Sequence, residues 1–502
     1  MPTALVALLA AVLVHQVADV SLRDVVAFSS YLVGWIVLPG TAVWRLVDPR
    51  QRDGRRPLAE DLAIGALVGY VLEFPAYLVW LAAGVPRLYL VWPVLVLVAA
   101  WGLRRRHPIL HLGGPTSGGS WRWTTAILMA YVVCWFARHA WSVYPATGAS
   151  LRNPHVDEPF HLSLAVSLRR VFPAEFPFAA DTPMEYHWLS HLHVAAASWV
   201  TGIESLTLLR TLSLPTLFLV VAFATSQVAV RLTGVAWVQP VTLAALLVAP
   251  ASFTGWRVDN LEALLSPRLM VSPSAGFVNA ALLLGVLLVV EMLISRRTGW
   301  SLMGMSALTF VAMAGAKSTS LPTFMAGLFG ATVLCSLLER RLHRVGALLT
   351  LTSVAAFVAA QAFFFGGGAH GLEISPLRLM SLQGQLRPSL LDPDGTMSVP
   401  VELLLVVGYL AYLSLGASLI ALFARGGWRR PERMFLVITC AAGFGAALTF
   451  HQVNYSEYYF QYVVMLVLVL GAVLGLQHVV EPLPTRYATI VVTTGELFTG
   501  NR

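Results

Sequence analysis

The chain runs again and again through stretches of about 18 to 22 apolar residues, the length at which a helix crosses the hydrocarbon layer of a bilayer. In that layer the backbone has no water to bond, so each run must close its hydrogen bonds within itself as a helix. Composition makes the same demand. With 57% hydrophobic and only 12% charged residues, there is too little polar surface to keep a water-soluble body of this size dispersed. The expected fold is all-α: a polytopic transmembrane helix bundle of about fourteen spans. Their centres fall near Leu9, Trp35, Leu72, Val96 and Val132, and then near Val220, Ala245, Leu284, Phe310, Gly330, Val358, Ala411, Gly443 and Val469. The first apolar run, Ala4 to Val14, lacks a basic leader and leads to Asp19, so it reads as a span and not a cleaved signal. Cys134, Cys335 and Cys440 lie far apart inside apolar runs and read as small buried residues.

The loops sort by charge. Arg50, Arg52, Arg55 and Arg56, Arg104 to Arg106, Arg231, Arg296 and Arg297, Arg340 and Arg341, and Arg429 and Arg430 fall on one side. The excess of basic residues in cytoplasmic loops assigns that side to the cytoplasm. Both termini are then cytoplasmic, and the expected location is the plasma membrane. The division expected is a four-span extension over residues 1–122, a core over 123–480 and a cytoplasmic tail over 481–502. A basic pI near 9.6 would suit nucleic acid, but the basic residues sit in short loops between spans, so no nucleic acid is expected. No P-loop, dinucleotide fingerprint or tandem repeat is visible, which argues against an ATP-driven machine.

The outer side holds the chemistry. Between residues 144 and 204 the spanning pattern stops, and five of the thirteen histidines fall between His155 and His193. Phe160, Leu164, Leu168 and Phe172 predict a short helix from Asp157 to Phe172, ended by Pro173. A second is predicted from Glu185 to Trp199, lying along the outer membrane surface or dipping into it. Asp157 and Glu158 open the first helix, about 100° apart around its axis. Asp157 shares a face with His161 and reads as a general base or metal ligand, against helix capping and an exposed charge. His187 and His191 stand four residues apart, a spacing that lets two imidazoles reach one metal. Interfacial hydrogen bonding is the plainer reading. No cofactor follows from this beyond a candidate divalent metal ion.

Other outer-face residues stand out by type. Lys317 is the only lysine; at the outer end of a span, beside Ser318, Thr319 and Ser320, it reads as a contact for a lipid phosphate or as a snorkelling cation. Arg257, Arg268 and Arg378 run against the charge bias and are further phosphate-binding candidates. Glu185, His451 and Glu457 complete the outer candidates. Glu73, near a span centre, is an intramembrane acid.

Many spans, a large first outer loop with surface helices and an acidic residue near that loop's start resemble the GT-C superfamily of membrane glycosyltransferases. The matching residues are Asp157 and Glu158. Residues 186–191 and 315–318 are also similar to uncharacterised multi-pass proteins of actinobacteria. The resemblance covers the architecture of residues 123–480. It implies a GT-C-like fold, a polyprenyl-phosphate-linked sugar donor, a cell-envelope glycan, lipid or protein acceptor, and an outer-loop carboxylate as the catalytic acidic residue. A hexosyl or pentosyl transferase is then expected. The chain departs from the pattern in having four spans before the core and no folded outer domain after it. A transporter or flippase for a lipid-linked or envelope precursor is the competing class.

Overall fold

The computed structural model describes residues 2–48, 57–103, 119–141, 157–179, 181–248, 272–367, 372–376, 414–452 and 456–481. The protein is all-α. Among the described residues, nine helices are long and apolar enough to cross a membrane, and three apolar helices are shorter. In chain order the helices are α1 (Pro2–Ala18), α2 (Leu22–Val47), α3 (Leu58–Ala82), α4 (Pro86–Leu103), α5 (Gly119–Phe136), α6 (Glu158–Ser167), α7 (Leu189–Thr201), α8 (Ser205–Thr233) and α9 (Val238–Val248). Then follow α10 (Pro273–Ser295), α11 (Trp300–Ala316), α12 (Ser320–Glu339), α13 (Arg344–Phe364), α14 (Pro431–Thr449) and α15 (Tyr458–Val480). Strands β1 (Glu373–Ile374) and β2 (Phe450–His451) make one short antiparallel ladder, with Glu373 opposite His451. The expected span near Ala411 and the proposed tail over 481–502 lie mostly outside the described residues.

α10 is apolar all round, so no face of it suits water, and nearly its whole length is buried. It is the central pillar, with α3, α8, α11 and α15 packed around it. α2 and α3 meet at Gly40, Gly65 and Gly69, where any added Cβ would strike the facing backbone or Thr41. With glycines at the crossing, the two helices approach closely, and Tyr31 of α2 reaches Glu73 of α3.

The segment between α5 and α8 includes two short helices, with corrected bounds. α6 ends at Ser167, well before Phe172, and Leu168 to Arg170 form a turn. The second helix begins at Leu189. Residues 185–188 are instead non-helical, with Tyr186 in ring contact with Phe160 and His187, and Trp188 with Phe364. α7 has thirteen residues and is buried from Leu189 to Ser198. At about 20 Å it is too short to cross the bilayer. It packs among α2, α3, α6, α10 and α11. Gly202, at a left-handed φ of 72°, ends it by donating its N–H to the Ser198 carbonyl.

Candidate active site at one end of the bundle

The described residues at the starts of α6, α7, α10, α12 and α15 come together at one end of the bundle. Lys317, in the turn between α11 and α12, is at their centre. Its backbone N–H caps α11 through the Met313 carbonyl. Gly315, two residues earlier, lies so close to Leu189 and Phe364 that a Cβ there would clash with both. The side chain is buried; its ammonium lies 3.3 Å from the centre of the Tyr459 ring and 3.5 Å from the Ser274 hydroxyl. Ser274 stands in the first turn of α10, where unpaired backbone N–H groups and the helix dipole favour an anion. The Tyr459 hydroxyl donates to Ser272 Oγ at 3.4 Å, tying α15 to the start of α10. Burial lowers the Lys317 pKa, and the electrostatic pull of Tyr459 and Asp157 opposes that.

Asp157 is exposed, at the start of α6, and its side chain makes no capping bond to that helix. Its charge is felt by Lys317, Tyr186 and Tyr459. Glu158 turns elsewhere and pairs with the buried Arg210 of α8. Arg210 falls in a widened π turn, Leu208–Ser213, which breaks the regular register of α8. The two adjacent acids therefore serve different surroundings, as their angular separation implies.

The histidines divide. His161 Nδ1 and His191 Nε2 are 2.9 Å apart, one donating to the other across the α6–α7 contact, and the Ser190 hydroxyl is 3.3 Å from His191 Nδ1. His187 precedes α7, so the i,i+4 helical geometry expected for His187 and His191 is not formed. It stacks on Tyr186 with ring centres 3.8 Å apart, and its Nε2 is buried without a hydrogen-bond partner among the described residues. Burial first, then Lys317, His191 and His161, holds its pKa well below the usual histidine value. His191 is lowered by burial and by His161. Both imidazoles are neutral at physiological pH. Among the described residues, no three His, Cys, Asp or Glu side chains are grouped to hold a metal ion.

The remaining candidates brace the site. Glu457, fully buried, accepts from the Gln452 N–H at 3.0 Å and faces His451 Nδ1 at 3.0 Å. It thereby fixes the entry to α15 and the position of Tyr459. Glu185 lies against Gly366, whose φ of 60° and lack of a Cβ admit the carboxylate there. The hydroxyls beside Lys317 do less than expected: Ser320 Oγ donates to the Met313 and Lys317 carbonyls, each at 2.8 Å. Arg257, Arg268 and Arg378 lie outside the described residues.

Several members of the site gave little signal in the sequence. Ser274, Tyr459 and Arg210 carry no pattern in the sequence that sets them apart. Other charged groups are buried elsewhere among the described residues. Glu73 of α3 meets His193 of α7. At the other end, Arg231 binds Asp48 (2.7 Å), Glu60 (2.6 Å) and Glu291 (3.0 Å), with its guanidinium 5.2 Å from the Trp44 ring centre.

Neither a family model, nor a curated protein, nor a solved structure matches this chain.

Proposed function

We propose that this protein is a membrane glycosyltransferase that moves a sugar from a polyprenyl-phosphate-linked donor to a cell-envelope acceptor at the outer face. One observation carries the reading: the sole lysine is buried beside the N-terminus of α10 and within electrostatic reach of Asp157. A base and an anion-binding group thus share one site. Asp157 takes the proton of an acceptor hydroxyl, whose oxygen forms the new bond to the anomeric carbon. The bond from that carbon to the phosphate oxygen breaks, and its electron pair leaves with the lipid phosphate. Lys317, the Ser274 hydroxyl and the α10 N-terminus stabilise that charge. The phosphate leaves as an anion and needs no general acid.

The test is release of polyprenyl phosphate from radiolabelled polyprenyl-phosphate hexose and pentose donors, using purified protein and a cell-envelope extract as acceptor. Wild type should transfer label from one donor class, and Asp157→Asn should not. Absence of transfer from every donor, with lipid-phosphate binding retained, would favour the second reading. That reading is a transporter or flippase for a lipid-linked precursor, and the buried Glu73–His193 pair is the observation that favours it.

A further inference from the structure

Glu73 is well inside α3, about 13 Å from its nearer end at 1.5 Å per residue. Its Oε2 faces His193 Nδ1 at 2.7 Å, and the Tyr31 hydroxyl of α2 donates to its Oε1. Tyr89 of α4 approaches the same carboxylate, and Tyr77 of α3 lies within electrostatic reach. Tyr70 of α3 meets the His193 ring edge-on at 5.2 Å, and Phe277 of α10 lies 6.2 Å from it. The carboxylate and imidazole are only 2% and 3% exposed. Among the described residues no lysine or arginine pairs with Glu73. His193 Nε2 and the Tyr70 hydroxyl are buried without hydrogen-bond partners among those residues.

Charge decides the protonation of such a pair. An ionised Glu73 beside a neutral His193 leaves one net negative charge in an apolar layer, faced only by neutral hydroxyls, and that is costly. One added proton makes the pair neutral overall. Whether that proton rests on Oε2 or on Nδ1, the second imidazole hydrogen is then on Nε2. Loss of the proton leaves Nδ1–H donating to the carboxylate and Nε2 bare. Proton occupancy therefore switches Nε2 between donor and acceptor.

We propose that Glu73 and His193 form a proton-binding site within the membrane layer, holding one shared proton at neutral pH, and that this proton fixes α7 against α3. The inference is independent of the transferase reading. It reaches the outer site mechanically, because α7 also carries His191, hydrogen-bonded to His161 on the helix that Asp157 begins.

The experiment uses the full chain in lipid nanodiscs with isotope-labelled histidine, His193 being assigned through its Leu192–His193–Val194 connectivity. The expected result is a protonated Nε2 at neutral pH, with amide exchange in α7, corrected for intrinsic rates, rising over whatever interval that proton is lost. Glu73→Gln, a neutral isostere, should abolish the pH dependence of α7 exchange. A bare Nε2 at neutral pH overturns the proposal. So does wild-type α7 exchange whose pH course matches that of Glu73→Gln. Should that variant fail to fold, the Nε2 proton and the wild-type exchange profile still decide.

Discussion

The Lys317 ammonium lies 3.3 Å from the centre of the Tyr459 ring, a buried cation over an aromatic face. Such a contact, stripped of water, contributes about 2 kcal/mol, and it holds the only lysine of the chain at the start of α10. Lys317→Ala should weaken lipid-phosphate binding by about 1.5–3 kcal/mol for the lost charge-assisted bond. Lys317→Arg should recover part of this, because the charge stays while the compact ammonium geometry goes. Tyr459→Phe should bind nearly as wild type, whereas Tyr459→Leu should lose affinity. Titration with a polyprenyl phosphate reads all four; unchanged affinity in Lys317→Ala would reduce Lys317 to a structural cation.

Asp157 and Glu158 should separate in kind. Asp157→Asn is expected to abolish transfer while leaving thermal stability near wild type, since its exposed side chain makes no cap. Glu158→Ala removes the carboxylate paired with the buried Arg210, and removing one partner of a buried pair costs about 3–5 kcal/mol. It should lower the unfolding temperature and leave the folded fraction active. The converse pattern, Asp157 silent and Glu158 essential, would move the base to Glu158.

The pH dependence of phosphate binding follows from Lys317. Burial lowers its pKa and Asp157 opposes the shift. The charged form is present below the Lys317 pKa, so affinity should fall as pH rises through it. Asp157→Asn removes part of the opposing pull, and the fall should then begin at lower pH. His187, already neutral through burial, should not contribute a second inflection near its ordinary value. An identical pH profile in wild type and Asp157→Asn would disconnect the two groups.

The bundle itself was legible because a bilayer leaves the backbone few choices: length and apolarity set most helices. Lys317 and Asp157 stood out because each is chemically out of place, one by rarity and the other by opening a polar segment. The His187–His191 spacing misled because helical geometry was assumed four residues too early; ring packing of Tyr186 and His187 keeps that stretch out of α7. The pairing of Glu73 with His193 could not be read, since it depends on how deeply α7 dips between distant helices. Arg210 was hidden for a similar reason: its partner Glu158 lies on a separate helix about fifty residues earlier.

Sidedness underlies the reading of the site, and Thr182 tests it. This residue is exposed in the segment between α6 and α7, and its carbonyl accepts from the Phe176 N–H at 2.8 Å, so substitution leaves the turn's backbone bond intact. Cys134 is exposed while Cys335 and Cys440 are buried, so Thr182→Cys belongs in a Cys134→Ser background. A membrane-impermeant maleimide should label it on intact cells. Arg297→Cys, in the exposed turn between α10 and α11, should label only after permeabilisation, because the charge rule assigns that turn to the cytoplasm. Both positions reversed would put Asp157 and Lys317 on the cytoplasmic side. A donor presented in the outer leaflet could not then reach them, and the transferase reading would fail with the topology.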